Sequence, residues 1–95
     1  MSDTQLSQKI YCAELRTDLP TLDLHGFRPY NIAERIDQFL YSLVTLKEPA
    51  ASIVYGGGTG VLREAVLKDL KYHCLVETVV EKAGYCIVIL ANNRG

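Results

Sequence analysis

Two stretches hold the residue types that do chemistry: Leu22-Asp23-Leu24-His25-Gly26 and, further along, Tyr55-Gly56-Gly57-Gly58-Thr59-Gly60. Along a strand, alternate residues share a face, so Asp23 and His25 point the same way. An imidazole titrates near ~6.5 when unperturbed, which suits general acid or base work, and a neighbouring carboxylate orients its ring. The glycines let the backbone turn sharply and present bare N–H groups, and the helix that follows adds the positive end of its dipole. Together these make an anion site. Plainer readings stay open for both stretches, because a lone His at a strand end is commonly structural and a glycine run can be a tight turn only. The string is neither GxGxxG nor GxxxxGK[ST], so neither a dinucleotide fingerprint nor a P-loop is claimed.

Each stretch closes a short apolar run and opens a helix-patterned one. In an open α/β sheet, neighbouring parallel strands end at the same crevice, where ligands bind. That places Asp23 and His25, as candidate catalytic residues, beside Gly56, Gly57, Gly58, Thr59 and Gly60 as a phosphate cradle. Gly26 closes the first motif and is a candidate binding residue with Arg28 just past it, and Arg63 lies in the first turn of the later helix with Lys68 beyond it. These cations either neutralise phosphates or are solvated helix charges, since Arg63, Glu64, Lys68 and Asp69 are mixed in sign. Tyr55 and Phe27 flank the motifs as stacking surfaces for bases, and for Phe27 inward packing is the equal alternative.

The totals set bounds on this reading. A chain of 95 residues, 48% hydrophobic and 22% charged, makes one domain with a single core. A net charge of −1 supplies no global basic field, so nucleic acid must be held by a local patch. Cys12, Cys74 and Cys86 form no metal-ligand spacing and read as reduced thiols in or near the core. A zinc site borrowing His73 or His25 has no CxxC or HxxxH support. No cofactor is expected, and a divalent-metal requirement is left open because Asp23 is the one carboxylate evident at the corner. No run reaches the length of a membrane span and the first residues are too polar for a signal peptide, so the expected place is the cytoplasm.

The pattern predicts an N-terminal extension over 1–17, partly loose, a domain over 18–91 and a polar tail over 92–95. Ile10, Tyr11, Cys12 and Leu15 can form a helical turn or an extended arm. A short strand follows Pro20, and Ile32, Ile36, Phe39, Leu40 and Leu43 recur at helical spacing within a helix over 29–46. Lys47 suits the dipole at its end and Pro49 prevents continuation. A second strand spans 51–55, and Thr59 is expected to cap a second helix. That helix buries Leu62, Ala65, Val66, Leu70 and in part His73, with Arg63, Glu64, Lys68, Asp69 and Lys71 facing water. Residues 75–82 and 85–90 form a hairpin about Ala83-Gly84, with Cys86, Val88 and Leu90 on one face. The fold class is α/β, an α+β sandwich of order βαβαββ: a mixed four-stranded sheet with two helices and a right-handed crossover.

Three strings in register carry a family resemblance: Leu22-Asp23-Leu24-His25-Gly26, the run from Ala33 to Leu40, and Gly58-Thr59-Gly60-Val61-Leu62-Arg63. They resemble the Smr (small MutS-related) domain over about residues 20–90. The resemblance implies a fold like the C-terminal domain of translation initiation factor three. It also implies binding of DNA or RNA, branched or structured forms included, with endonuclease or nicking activity, in nucleic-acid repair or quality control. It assigns Asp23 and His25 to the motif implicated in cleavage. Gly56, Gly58, Thr59 and Gly60 match the second motif, usually HGxG, and Arg63 matches the basic residue after it. Tyr55 stands where the family usually has His, and Gly57 where it often has Lys. A phenol with a pKa near ~10 is a poor base at neutral pH. These departures favour the rival expectation, a non-catalytic module docking on nucleic acid or the ribosome; a protein partner is a separate expectation. The primary expectation remains a phosphodiester endonuclease, weak or partner-dependent.

Overall fold

A strand apolar on both faces needs cover on both sides, and Tyr85–Leu90 is such a strand. The computed structural model describes residues 3–91 and places it inside the sheet. The elements are α1 (Asp3–Leu15), β1 (Thr21–Asp23), a 3-10 turn (Pro29–Asn31) entering α2 (Ile32–Thr45), β2 (Ala50–Val54), α3 (Val61–Lys71), β3 (Val76–Glu81) and β4 (Tyr85–Leu90). The sheet order is β1-β2-β4-β3. β1 runs parallel to β2 with Leu22 opposite Ile53, while β4 is antiparallel to both β2 and β3. The mixed four-stranded sheet and the parallel first pair are as the sequence pattern predicts.

Alternation then sorts the core. Ala51, Ile53 and Tyr55 with Cys86, Val88 and Leu90 meet α2 and α3 on one face, against Ile32, Ile36, Leu40, Leu43, Val66 and Leu70. Cys86 is fully buried there and its thiol is pushed up to about 12, chiefly by that burial, whereas Cys12 and Cys74 are exposed. On the other face, Ala50, Ile87 and Ile89 pack under Ala13, with Leu6, Ile10 and Leu19 alongside.

That second layer is where the architecture exceeds the expectation of two helices. α1 is a third helix, with a narrow apolar stripe of Leu6, Ile10 and Ala13. Its other holds are ion pairs to distant parts of the chain, Lys9 to Glu77 at 2.9 Å and Glu14 to Lys82, and just past its end Arg16 pairs with Glu48 at 3.1 Å. Met1, Ser2 and the expected tail at 92–95 lie outside the described residues.

The helix ends also differ in detail. α2 stops in a Schellman turn: Glu48 N–H donates to the Leu43 carbonyl and Lys47 N–H to that of Val44, which puts Lys47 itself at φ 60. α3 is not capped by Thr59. Gly60 holds the capping position at φ 87, and the Thr59 hydroxyl only accepts a long 3.4 Å bond from Val61 N–H. Asp69, expected to face water, is half-buried with Oδ2 lacking a hydrogen-bond partner among the described residues. His73 lies just past α3; its Nε2 is 2.6 Å from Asp37 Oδ1, and its Nδ1 accepts from Leu75 N–H, tying α2 to the link before β3.

Candidate nucleic-acid interface

β1 and β2 end side by side because Leu24 N–H donates to the Val54 carbonyl at 2.7 Å, extending the ladder past Asp23. Gly26, at φ 85, then turns the chain, and Phe27 N–H closes back on the Leu24 carbonyl. On the β2 side, the N–H groups of Tyr55 and Gly56 both donate to the Gly84 carbonyl, at 3.1 and 2.8 Å, so the β3–β4 turn pins the start of the glycine loop. The two motifs meet: a Cβ built on Gly56 would stand 3.6 Å from the His25 Cβ.

Asp23 holds His25 twice. Its Oδ1 accepts the His25 backbone N–H at 3.0 Å and lies 2.9 Å from ring Nδ1. A carboxylate can only accept, so the neutral ring carries its proton on Nδ1 and keeps Nε2 as a free base site. The His25 N–H and ring bonds hold the Asp23 carboxyl below its usual range, keeping it ionised at neutral pH. His25 is 73% exposed, so its Nε2 is open to a ligand.

Beside this pair lies an open groove of about 410 Å³, walled by Gly26, Phe27, Arg28 and Pro29 on one side and by Tyr55, Gly57 to Gly60, Val61 and Leu62 on the other. Gly58, at φ 74, and Gly60 reverse the chain with left-handed backbone that a side chain would strain. With Gly60 at the cap, Glu64 is the first residue of α3 whose N–H reaches back to it, and the N–H groups of Leu62 and Arg63 have no backbone acceptor among the described residues. Gly57 is different. Its φ is outside the left-handed region and nothing lies within 4 Å of a Cβ placed there.

The other expected site residues divide. Arg28 is exposed on the groove wall without a carboxylate partner among the described residues. Arg63 is tied to Glu81 at 2.5 Å, so its charge is largely compensated. Tyr55 is not a stacking surface: only 3% exposed, it packs into the α2–α3 core and its hydroxyl donates to the Tyr85 carbonyl at 2.9 Å. Burial pushes its phenol above the ordinary value. The signal was in the sequence, since Tyr55 shares strand parity with the apolar Ala51 and Ile53. Phe27 is half-buried and lies under the Arg35 guanidinium, 5.0 Å from its ring centre. Arg35 is a feature of the site that the motif strings did not indicate.

Among the described residues, no cluster of three or more His, Cys, Asp or Glu side chains is arranged to hold a metal ion. No helix there is long and apolar enough to cross a membrane.

Comparison with known proteins agrees with this fold. The chain is 31% identical over 80 residues to Endonuclease MutS2 of Listeria welshimeri, an alignment covering 81% of this chain and 10% of that protein. It is 39% identical over 59 residues to Endonuclease MutS2 of Symbiobacterium thermophilum, covering 62% of this chain and 7% of that protein. The chain thus spans about a tenth or less of the length of these relatives. The crystal structure of the Smr domain of Thermus thermophilus MutS2 superposes with a TM-score of 0.73 at 25% identity, covering 77% of this chain and 99% of that one. The Smr domain matches residues 22–87, from the first residue of the Asp23–His25 motif into β4, and the chain belongs to the Smr domain family.

Proposed function

We propose that this Smr domain binds DNA or RNA through the glycine corner and cleaves its phosphodiester backbone slowly or with a partner's help. The observation that carries the reading is the double hold of Asp23 on His25, which leaves Nε2 free on a ring whose Cβ lies next to Gly56 of the glycine loop. The glycine-loop N–H groups and the first turn of α3 would hold the phosphate, and Arg28 would offset charge as it develops. His25 would take the proton of the attacking water or ribose hydroxyl as the new P–O bond forms. The bond to the leaving oxygen then breaks. Tyr55, buried and already donating its hydroxyl proton, supplies none to that oxygen, so water does. A reaction lacking a positioned acid is slow, so the cutting expected of this chain is weak. That relatives are named endonucleases supports the class of reaction. The cytoplasm, and a role in nucleic-acid repair or quality control, belong to the same proposal.

A second reading, a non-catalytic docking module on structured nucleic acid or the ribosome, is favoured by the buried Tyr55 and the Arg63–Glu81 pair. One experiment separates the two. Wild type, His25→Ala, Asp23→Asn and Tyr55→His are compared for cleavage and gel-shift on matched single-stranded, duplex and branched DNA and RNA, free of host nuclease. General-base loss at His25 lowers cleavage by about 10²–10⁴-fold with binding kept, and Tyr55→His, whose ring stays on the core-facing side, does not raise it. Unchanged cutting in His25→Ala overturns the catalytic assignment, and salt-dependent binding without turnover establishes the docking module.

A further inference from the structure

Phe27 is a wall of two grooves. One is the phosphate corner; the other, about 370 Å³, opens on its far side and is lined by Phe27, Asn31, Glu34, Arg35 and Gln38. The second groove differs chemically from the first. It has no glycine backbone; it lies at the start of α2, where Asn31 is the cap and Glu34 sits in the first turn, and it combines one cation, one carboxylate and two amides beside an aromatic ring. A carboxylate makes a poor phosphate cradle. Donors and acceptors set around a flat stacking surface instead match the edge of a nucleobase, which needs both.

We propose that this groove is a nucleobase subsite, which reads the unpaired base next to the phosphate held at the glycine corner. The inference rests on the nucleic-acid reading above. Arg35 lies over the Phe27 ring with its guanidinium carbon 5.0 Å from the ring centre, so its outer face is a ready stacking plane. Nothing diverts it. Arg16 and Arg63 are paired with carboxylates, whereas Arg35 and Arg28, one on each side of Phe27, have no such partner among the described residues. The base stacks on Arg35, while Asn31, Glu34 and Gln38 meet its polar edge. Arg28 stays with the backbone. The ligand class is therefore single-stranded or locally unpaired nucleic acid, and the groove gives the domain a base preference that the glycine corner alone does not.

The test uses labelled single-stranded 12-mers of each base, as DNA and as RNA, titrated against wild type, Arg35→Ala, Arg35→Lys and Arg28→Gln, with folding checked by circular dichroism. Wild type binds the homopolymers with unequal affinities. Arg35→Ala weakens the best of them about tenfold and levels the preference. Arg35→Lys keeps the charge but loses the plane, so the preference falls while the salt slope holds. Arg28→Gln weakens all sequences alike and lowers the slope by about 0.7. Preference and affinity unchanged in both Arg35 variants, with Arg28→Gln still weakened, overturn the subsite and leave the phosphate corner standing. No binding of any 12-mer by wild type at low salt overturns the corner, and the subsite with it.

Discussion

Replacing Tyr55 with Phe asks whether the residue standing in the family's usual histidine position is chemistry or support. The substitution deletes one oxygen and keeps the ring among Ala51, Ile53 and the α2–α3 core. That oxygen donates to the Tyr85 carbonyl at 2.9 Å, but the same carbonyl also accepts Lys82 N–H at 2.8 Å. No buried acceptor is orphaned, so the loss lies in the lower half of the usual net contribution of a hydrogen bond, about 0.5–1 kcal/mol. For a domain of this size that is a fall in Tm of roughly 2–8 °C. Thermal unfolding by circular dichroism and fluorescence anisotropy with a labelled oligonucleotide read the two sides. Support predicts the lower Tm with nucleic-acid affinity unchanged within about twofold. An unchanged Tm with affinity lost tenfold would refute the reasoning, because the hydroxyl would then be facing the ligand.

Gly57→Lys puts a cation where open space and ordinary backbone already admit a side chain, so fold stability holds and the salt slope of nucleic-acid binding steepens by about one phosphate contact; an unchanged slope at two or more salt concentrations contradicts it. Lys47→Gly relieves left-handed backbone at the end of α2 and raises stability by about 1 kcal/mol in urea unfolding; a loss of stability counts against the turn. Burial raises the Asp69 carboxyl above its usual range, with Asp37 adding and His73 opposing. A raised acid binds protons more readily when folded, so wild-type stability falls as pH rises from the ordinary carboxylate value through the folded one. Asp69→Asn is therefore more stable than wild type at pH 7 and loses that advantage as pH falls to the ordinary carboxylate value; an advantage independent of pH contradicts the assignment.

Most of the scaffold was legible because its signals are local. Helical spacing from Ile32 to Leu43 and the parity of Cys86, Val88 and Leu90 put each residue on the face it occupies. The meeting of His25 with the glycine loop was legible too, since parallel neighbours end together. What escaped depends on partners far along the chain. α1 shows a three-residue stripe and is pinned by Lys9 to Glu77 and Glu14 to Lys82, each 68 positions apart. The pairing of Arg63 with Glu81 and the seat of Tyr55 under the Tyr85 carbonyl come from the β3–β4 hairpin folding over the corner. Thr59 lost the cap because Gly60, one residue later, takes the left-handed conformation that the turn demands.

The central claim is that two distant segments form one pocket for a charged backbone. Amide resonances of the ¹⁵N-labelled chain, followed while a short single-stranded oligonucleotide is added at low salt, test it most directly. The account predicts saturable shifts shared by His25, Gly57, Gly58, Gly60 and the first turn of α3, with one dissociation constant. Shifts confined to α1, or loop amides that stay still while nucleic acid binds elsewhere, would contradict it.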